Sequence, residues 1–126
     1  MNKRQQSDYD LQERLIEFAV RLLNVVEILP NTRTGNHIAN QLVRSCTSPA
    51  PNYGEAQSAE SRKDFIHKMK IALKELRETF VWLLIIQRKQ LVDSPDTLVP
   101  LIKENNELIS IFVASITTAQ KNLKKQ

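Results

Sequence analysis

Apolar residues recur at three- and four-residue intervals along most of this chain, and that rhythm is the one an amphipathic helix needs. It is clearest between residues 61 and 89. There Phe65, Met69, Ala72, Leu76, Phe80, Leu83 and Ile86 form a continuous stripe that ends near Lys89. Ser61 followed by Asp64 resembles a capping box, with Asp in place of the longer Glu. An earlier segment runs from about Asp10 to Leu29 on Leu11, Leu15, Phe18, Leu22, Val25 and Leu29. Asp8 or Asp10 can cap its start and Pro30-Asn31 ends it. Between these two, a segment from Thr34-Gly35 towards Ala59 carries a thin apolar side of Ile38, Leu42, Val43, Cys46 and Tyr53. Pro49 and Pro51 fall inside it, so two half-helices on one axis are expected, broken near Ser48. The last segment carries Leu98, Leu101, Ile102, Leu108, Ile109, Phe112, Ile116, Ala119 and Leu123, with Asp93, Ser94 or Asp96 as its cap.

Four helices with short connections predict an all-α fold, an antiparallel up-down four-helix bundle. Only 2 glycines among 126 residues argue against a β-sandwich, which needs many tight turns. The length fits one domain over residues 1–126, with fraying expected at 1–9 and 121–126. Cys46 is the single cysteine, so no intrachain disulfide can form and a reducing, cytoplasmic setting is expected. The start lacks the apolar core of a signal peptide. The longest apolar run, Phe80 to Ile86, is far short of a bilayer span, so no membrane role is expected.

Chemistry has few footholds. His37 and His67 are the only histidines, and no His or Cys pair has metal-ligand spacing. No glycine-rich phosphate loop or nucleophile elbow is present, so neither cofactor nor metal is expected. One enzymatic pattern remains. Arg62-Lys63-Asp64-Phe65-Ile66-His67 spells Arg-x4-His, which resembles the motif of small helical HEPN ribonucleases. In that alternative Arg62 clamps a phosphate and His67 moves a proton.

Charge is a better guide. Residues 1–60 hold six Lys/Arg and seven Asp/Glu, whereas residues 61–126 hold twelve and seven. Within the third segment Lys63, His67, Lys70, Lys74 and Arg77 step by four, three, four and three, which keeps them on one narrow face opposite the apolar stripe. Neighbouring like charges destabilise a helix by a few tenths of a kcal/mol per pair, so such a row calls for a compensating partner. Phosphate is an obvious partner, with a solvated helix face as the other reading, and protonation of His67 would strengthen a phosphate contact. No aromatic residue interleaves the row, which argues against stacking on single-stranded bases.

A second, polar stripe joins Gln41, Ser45, Ser48, Asn52 and Glu55, with Arg44 beside it. It reads as a close helix contact or subunit interface, with Asn52 satisfying carbonyls freed by the prolines. Lys74, Glu75 and Glu78 lie where they could pair with Arg44 across the bundle. Trp82, the only tryptophan, lies off the main stripe and is expected to cover a neighbouring helix or subunit. Cys46 reads as a small packed residue.

These same residues carry a family resemblance. Gln41-Leu42-x-Arg44-Ser45-x-Thr47-Ser48, Asn52-Tyr53-x-Glu55-Ala56, the run Ala59 to Lys68, Ile71-x-x-Lys74-Glu75-x-x-Glu78-Thr79 and Trp82-Leu83 together form one signature. It resembles the bacterial four-helix bundle proteins first noticed as reading frames in intervening sequences of 23S rRNA genes. The match covers roughly residues 10 to 115, and Pro51 departs from it where a larger apolar residue is common. The resemblance implies a four-helix bundle assembled as a ring-like homopentamer. It also implies remote kinship with the accessory variability proteins of diversity-generating retroelements, which are basic pentamers that bind nucleic acid and a reverse transcriptase. The nearer family has no settled activity and no assigned catalytic residues. The resulting expectation is a non-enzymatic homo-oligomer contacting RNA or DNA through Lys63, His67, Lys70, Lys74 and Arg77. Gln41, Arg44, Ser48, Asn52, Glu55, Glu75, Glu78 and Trp82 would serve structure and interfaces. A scaffold for a protein partner is the main alternative.

Overall fold

The computed structural model describes residues 3–125, with side chains from residue 10 onward. Five α-helices and one 3-10 turn make up the described residues: α1 (Lys3–Ile28), α2 (Arg33–Thr47), α3 (Pro49–Gln57), α4 (Arg62–Lys89), the turn Pro95–Leu98, and α5 (Val99–Lys124). Since α2 and α3 follow one another as halves of one rod, the molecule is an all-helical bundle of four rods. α1 starts well before the expected Asp10, so Asp8 and Asp10 lie inside the helix instead of capping it. α5 continues through Lys124, across most of the segment expected to fray, while residues 1, 2 and 126 lie outside the described residues.

Each junction has a local cause. Between α1 and α2, Thr32 is extended and its hydroxyl accepts from the Gly35 N–H at 3.0 Å. A Cβ on Gly35 would sit 1.9 Å from the Pro30 carbonyl oxygen, so this close turn needs glycine. Between α2 and α3, Pro49 and Pro51 cannot donate to the preceding turn, and the helix breaks at Ser48 as the prolines predict. Ser48 nonetheless keeps right-handed helical dihedrals, so the chain path continues into α3. The Ser61 hydroxyl accepts from the Asp64 N–H at 3.0 Å, which starts α4. Gln90 ends α4 in the left-handed region at φ 57°, with Leu91 N–H donating to Ile86 and Gln90 N–H to Gln87. That is a Schellman arrangement built without the usual glycine. The predicted caps Asp93, Ser94 and Asp96 do not cap α5. The 3-10 turn runs straight into it, and the Ser94 carbonyl accepts from Thr97.

Cross-helix contacts set the directions. Gln12 bonds Ala50 while Gly35 sits against Pro30; Arg44 meets Glu75 while Glu55 meets Lys68; Leu76 meets Asn105 while Arg62 meets Asn122. In each case one partner number rises as the other falls, so consecutive rods run antiparallel. Among the described residues the backbones of α1 and α4 are not neighbours, and the two helices occupy opposite corners, with α2–α3 and α5 between them.

One core runs along the axis. Leu15, Phe18 and Leu22 meet Leu42, Met69, Leu76, Leu83, Leu108 and Phe112, all essentially sealed from solvent. Each such side chain contributes about 1.5–3 kcal/mol of transfer free energy. The buried line of α4 differs from the predicted stripe. Ile66 and Thr79 are buried, whereas Phe65 and Phe80 are only half-buried at the flanks. Thr79 tolerates burial because its hydroxyl lies 2.9 Å from both the Glu75 carbonyl and the Ser45 hydroxyl.

Candidate nucleic-acid interface

The long, straight α4 presents its outer face to solvent because its other sides pack on α3, α2 and α5. Lys63, His67, Lys70, Lys74 and Arg77 are all exposed there, and none is ion-paired among the described residues. At ~100° per residue they span an arc of about 80°, centred opposite Met69, Ala72 and Leu76. Their axial reach is about 21 Å at ~1.5 Å per residue.

Asp64 flanks the start of this row without forming an ion pair, whereas Glu55, Glu75 and Glu78 near it are engaged. Arg44 donates to Glu75 at 2.8 Å and also to Glu78, and Lys68 donates to Glu55 at 3.0 Å. All three carboxylates are thus bound by cations outside the row, and none of them pairs with it. Because the Arg44 side chain is half exposed, its pairs stabilise the fold by about 1 kcal/mol or less. Their larger effect is electrostatic, since they keep Glu75 and Glu78 from folding back onto Lys74 and Arg77.

The polar stripe on α2 and α3 is consumed inside the chain. Ser45 is buried against Thr79, Arg44 bridges to α4, and Glu55 pairs across to Lys68. Gln41 accepts from Arg44 at 3.3 Å. Lys74, read above as one of Arg44's neighbours, takes no part and points outward. Asn52 donates to the Ser48 carbonyl at 3.0 Å and the Ser48 hydroxyl at 2.9 Å. The carbonyls that the prolines free belong to Ser45 and Thr47, so Asn52 braces the break without repairing it. Trp82 covers α2: its ring meets His37 edge-on at 6.1 Å and its N–H donates to Glu78 at 3.3 Å.

Arg62 and His67 do not converge. Five residues of helix place them about 140° apart. The Arg62 guanidinium donates to the Asn122 carbonyl at 3.0 Å, on the wall of an open cleft of about 930 Å³ beside the last turns of α5. Among the described residues no group of His, Cys, Asp or Glu gathers as metal ligands, and no helix is long and apolar enough to cross a membrane.

Two features escaped the sequence reading. Arg14 of α1 grips Glu104 at 2.6 Å and Glu107 at 3.0 Å on α5. Arg14 lies 90 and 93 positions from the two glutamates, beyond any local pattern. Asn105 is fully buried, donates to the Leu76 carbonyl at 3.0 Å, and leaves its Oδ1 without a protein partner. Its place on the apolar face of α5, three residues from Leu108 and Ile102, is the signal that could have found it.

Residues 7–114 match the family model described as 23S rRNA-intervening sequence protein. The chain also resembles a crystal structure from Bacteroides thetaiotaomicron, described as a protein with unknown function from the S23 ribosomal protein family. That likeness has a TM-score of 0.78 at 33% identity and covers 87% of this chain and 97% of the other. No curated protein matches.

Proposed function

Since the chain belongs to the 23S rRNA-intervening sequence protein family, a group marked by fold more than by chemistry, we propose its function from its own surface: a non-enzymatic, oligomeric bundle that binds RNA or DNA through the outer face of α4. The observation that carries this reading is the unpaired row Lys63, His67, Lys70, Lys74 and Arg77. No carboxylate among the described residues pairs with it, while the adjacent Glu75, Glu78 and Glu55 are held by Arg44 and Lys68. Phosphates placed along the row relieve its self-repulsion and release condensed counterions, which makes binding favourable and salt-dependent. Ammonium and guanidinium groups along the row suit phosphate contacts, which position a nucleic acid without reading its sequence. Self-association, to five copies if the family resemblance holds for this chain, multiplies the number of such rows on one assembly. Residence in the cytoplasm belongs to the same proposal.

The test is fluorescence anisotropy with labelled structured RNA and duplex DNA. Wild-type protein should bind at low salt, and the variant Lys63→Glu/Lys70→Glu/Lys74→Glu/Arg77→Glu should lose binding with unchanged helical circular dichroism. Retained binding by a folded variant would move the site elsewhere. Absence of wild-type binding even at low salt would return the row to a solvated helix face and favour a protein-interaction scaffold.

A further inference from the structure

The outward face of α1 is acidic and apolar, whereas the outward face of the second half of α4 is basic and apolar. On α1, Glu13, Ile16, Val20 and Glu27 fall within an arc of about 60° at ~100° per residue. All four are exposed, Ile16 at 41% and Val20 at 47%. On α4, Arg77, Val81, Ile85 and Arg88 fall within about 80° on the same basis. They too are exposed, Val81 at 53% and Ile85 at 38%. Each helix thus shows two aliphatic side chains four residues apart, bracketed by charges of a single sign. None of these four charges is ion-paired among the described residues. Because α1 and α4 stand at opposite corners and these faces point to solvent, one chain cannot bring its two faces together. A second copy can.

We propose that the α1 face of one copy docks on the Arg77–Arg88 face of α4 in the next. This rests on the self-association proposed above and supplies its surface. Removing Ile16, Val20, Val81 and Ile85 from water gives the driving force, and the opposed charges fix which face meets which. Pairing α1 with α1 would set acid against acid, and α4 with α4 base against base, so the contact is heterologous. A heterologous contact leaves one face free at each end until a ring closes. Lys63, His67, Lys70 and Lys74 lie on the first half of α4, outside the contact, and Arg77 alone is shared between the two surfaces.

Sedimentation velocity on the full chain tests this. Wild type should sediment as an assembly, and Val20→Arg and Val81→Glu should each sediment as monomers with wild-type circular dichroism. Mixed in equal amounts, the two variants should associate again, because one keeps an intact α4 face and the other an intact α1 face. Assemblies that persist in both single variants, or a mixture that stays monomeric, would overturn the α1–α4 contact while leaving self-association standing. Wild type that is monomeric would remove self-association itself and leave the α1 face to a different, basic partner. Should either substitution cost helical content, Glu13→Lys and Arg88→Glu reverse the bracketing charges at exposed positions and are read the same way.

Discussion

Cys46 illustrates how a single side chain reports its surroundings. It is 1% exposed on α2, and burial pushes its thiol from 9.0 up to about 11. A neutral thiol is compatible with that apolar site and a thiolate is not. The unfolded chain gives up this proton first, so the stability that the protonated thiol contributes is complete below about pH 9 and is lost as pH rises towards 11. The amount is on the order of 2 kcal/mol. Other groups titrate in the same window, so the informative quantity is a difference. In urea melts, wild type should exceed Cys46→Ala in stability at pH 7.5, and that gap should shrink at pH 10.5. A gap that stays constant would show that the thiol titrates alike in both states. Asn105 makes the opposite choice at the same scale. It keeps a polar group in the core at the cost of an acceptor with no protein partner, while its N–H ties α5 to the backbone of α4.

The helix junctions divide what local sequence determines from what it does not. Gly35 is required because the turn from α1 brings the Pro30 oxygen against the place a Cβ would occupy. Gln90 works against its position, since an L side chain at φ 57° costs about 1 kcal/mol relative to glycine. Gly35→Ala should therefore lower stability by about 1–3 kcal/mol, and Gln90→Gly should raise it by about 1 kcal/mol. Chemical denaturation of both variants checks the pair, and a shift of the same sign in both would contradict this account. Most of the helices were legible because their determinants are local. The period of Leu11 to Leu29, the Ser61 cap and the prolines after Ser48 all act within a few residues. What the sequence obscured depends on distant partners. Thr79 displaces Phe80 from the core because Ser45, on another helix, satisfies its hydroxyl. The start of α5 departs from the expected caps because Leu98 enters it through a 3-10 turn, which needs no side-chain cap. The exposed face carrying Lys70 and Lys74 was legible from spacing alone, but its lack of ion pairs was not. That depends on Arg44 reaching Glu75 and Glu78 across 31 and 34 residues.

Across the whole molecule, charge is sorted by corner. Asp10, Glu13, Glu17 and Glu27, unpaired among the described residues, lie on α1, and the diagonal helix α4 carries the unpaired basic row. The formal net charge of +4 therefore understates what an approaching polyanion meets. With diagonal axes about 14 Å apart for rods packed at ~10 Å, the acids lie beyond a Debye length of ~8 Å at physiological salt. A phosphate backbone at α4 is attracted by the row and barely senses the opposite corner, which also turns the molecule to present α4 first. This sorting predicts increments in the salt dependence of binding. For duplex DNA, each phosphate neutralised steepens the slope of log affinity against log salt by about 0.9. Lys70→Ala should therefore make the slope shallower by roughly that amount, and so should Lys74→Ala. Lys103, equally exposed but on α5, provides the control, and Lys103→Ala should leave the slope unchanged. If all three substitutions flatten it alike, binding follows total charge and the row on α4 has no special part. If only the α4 substitutions do, the polyanion lies along that helix.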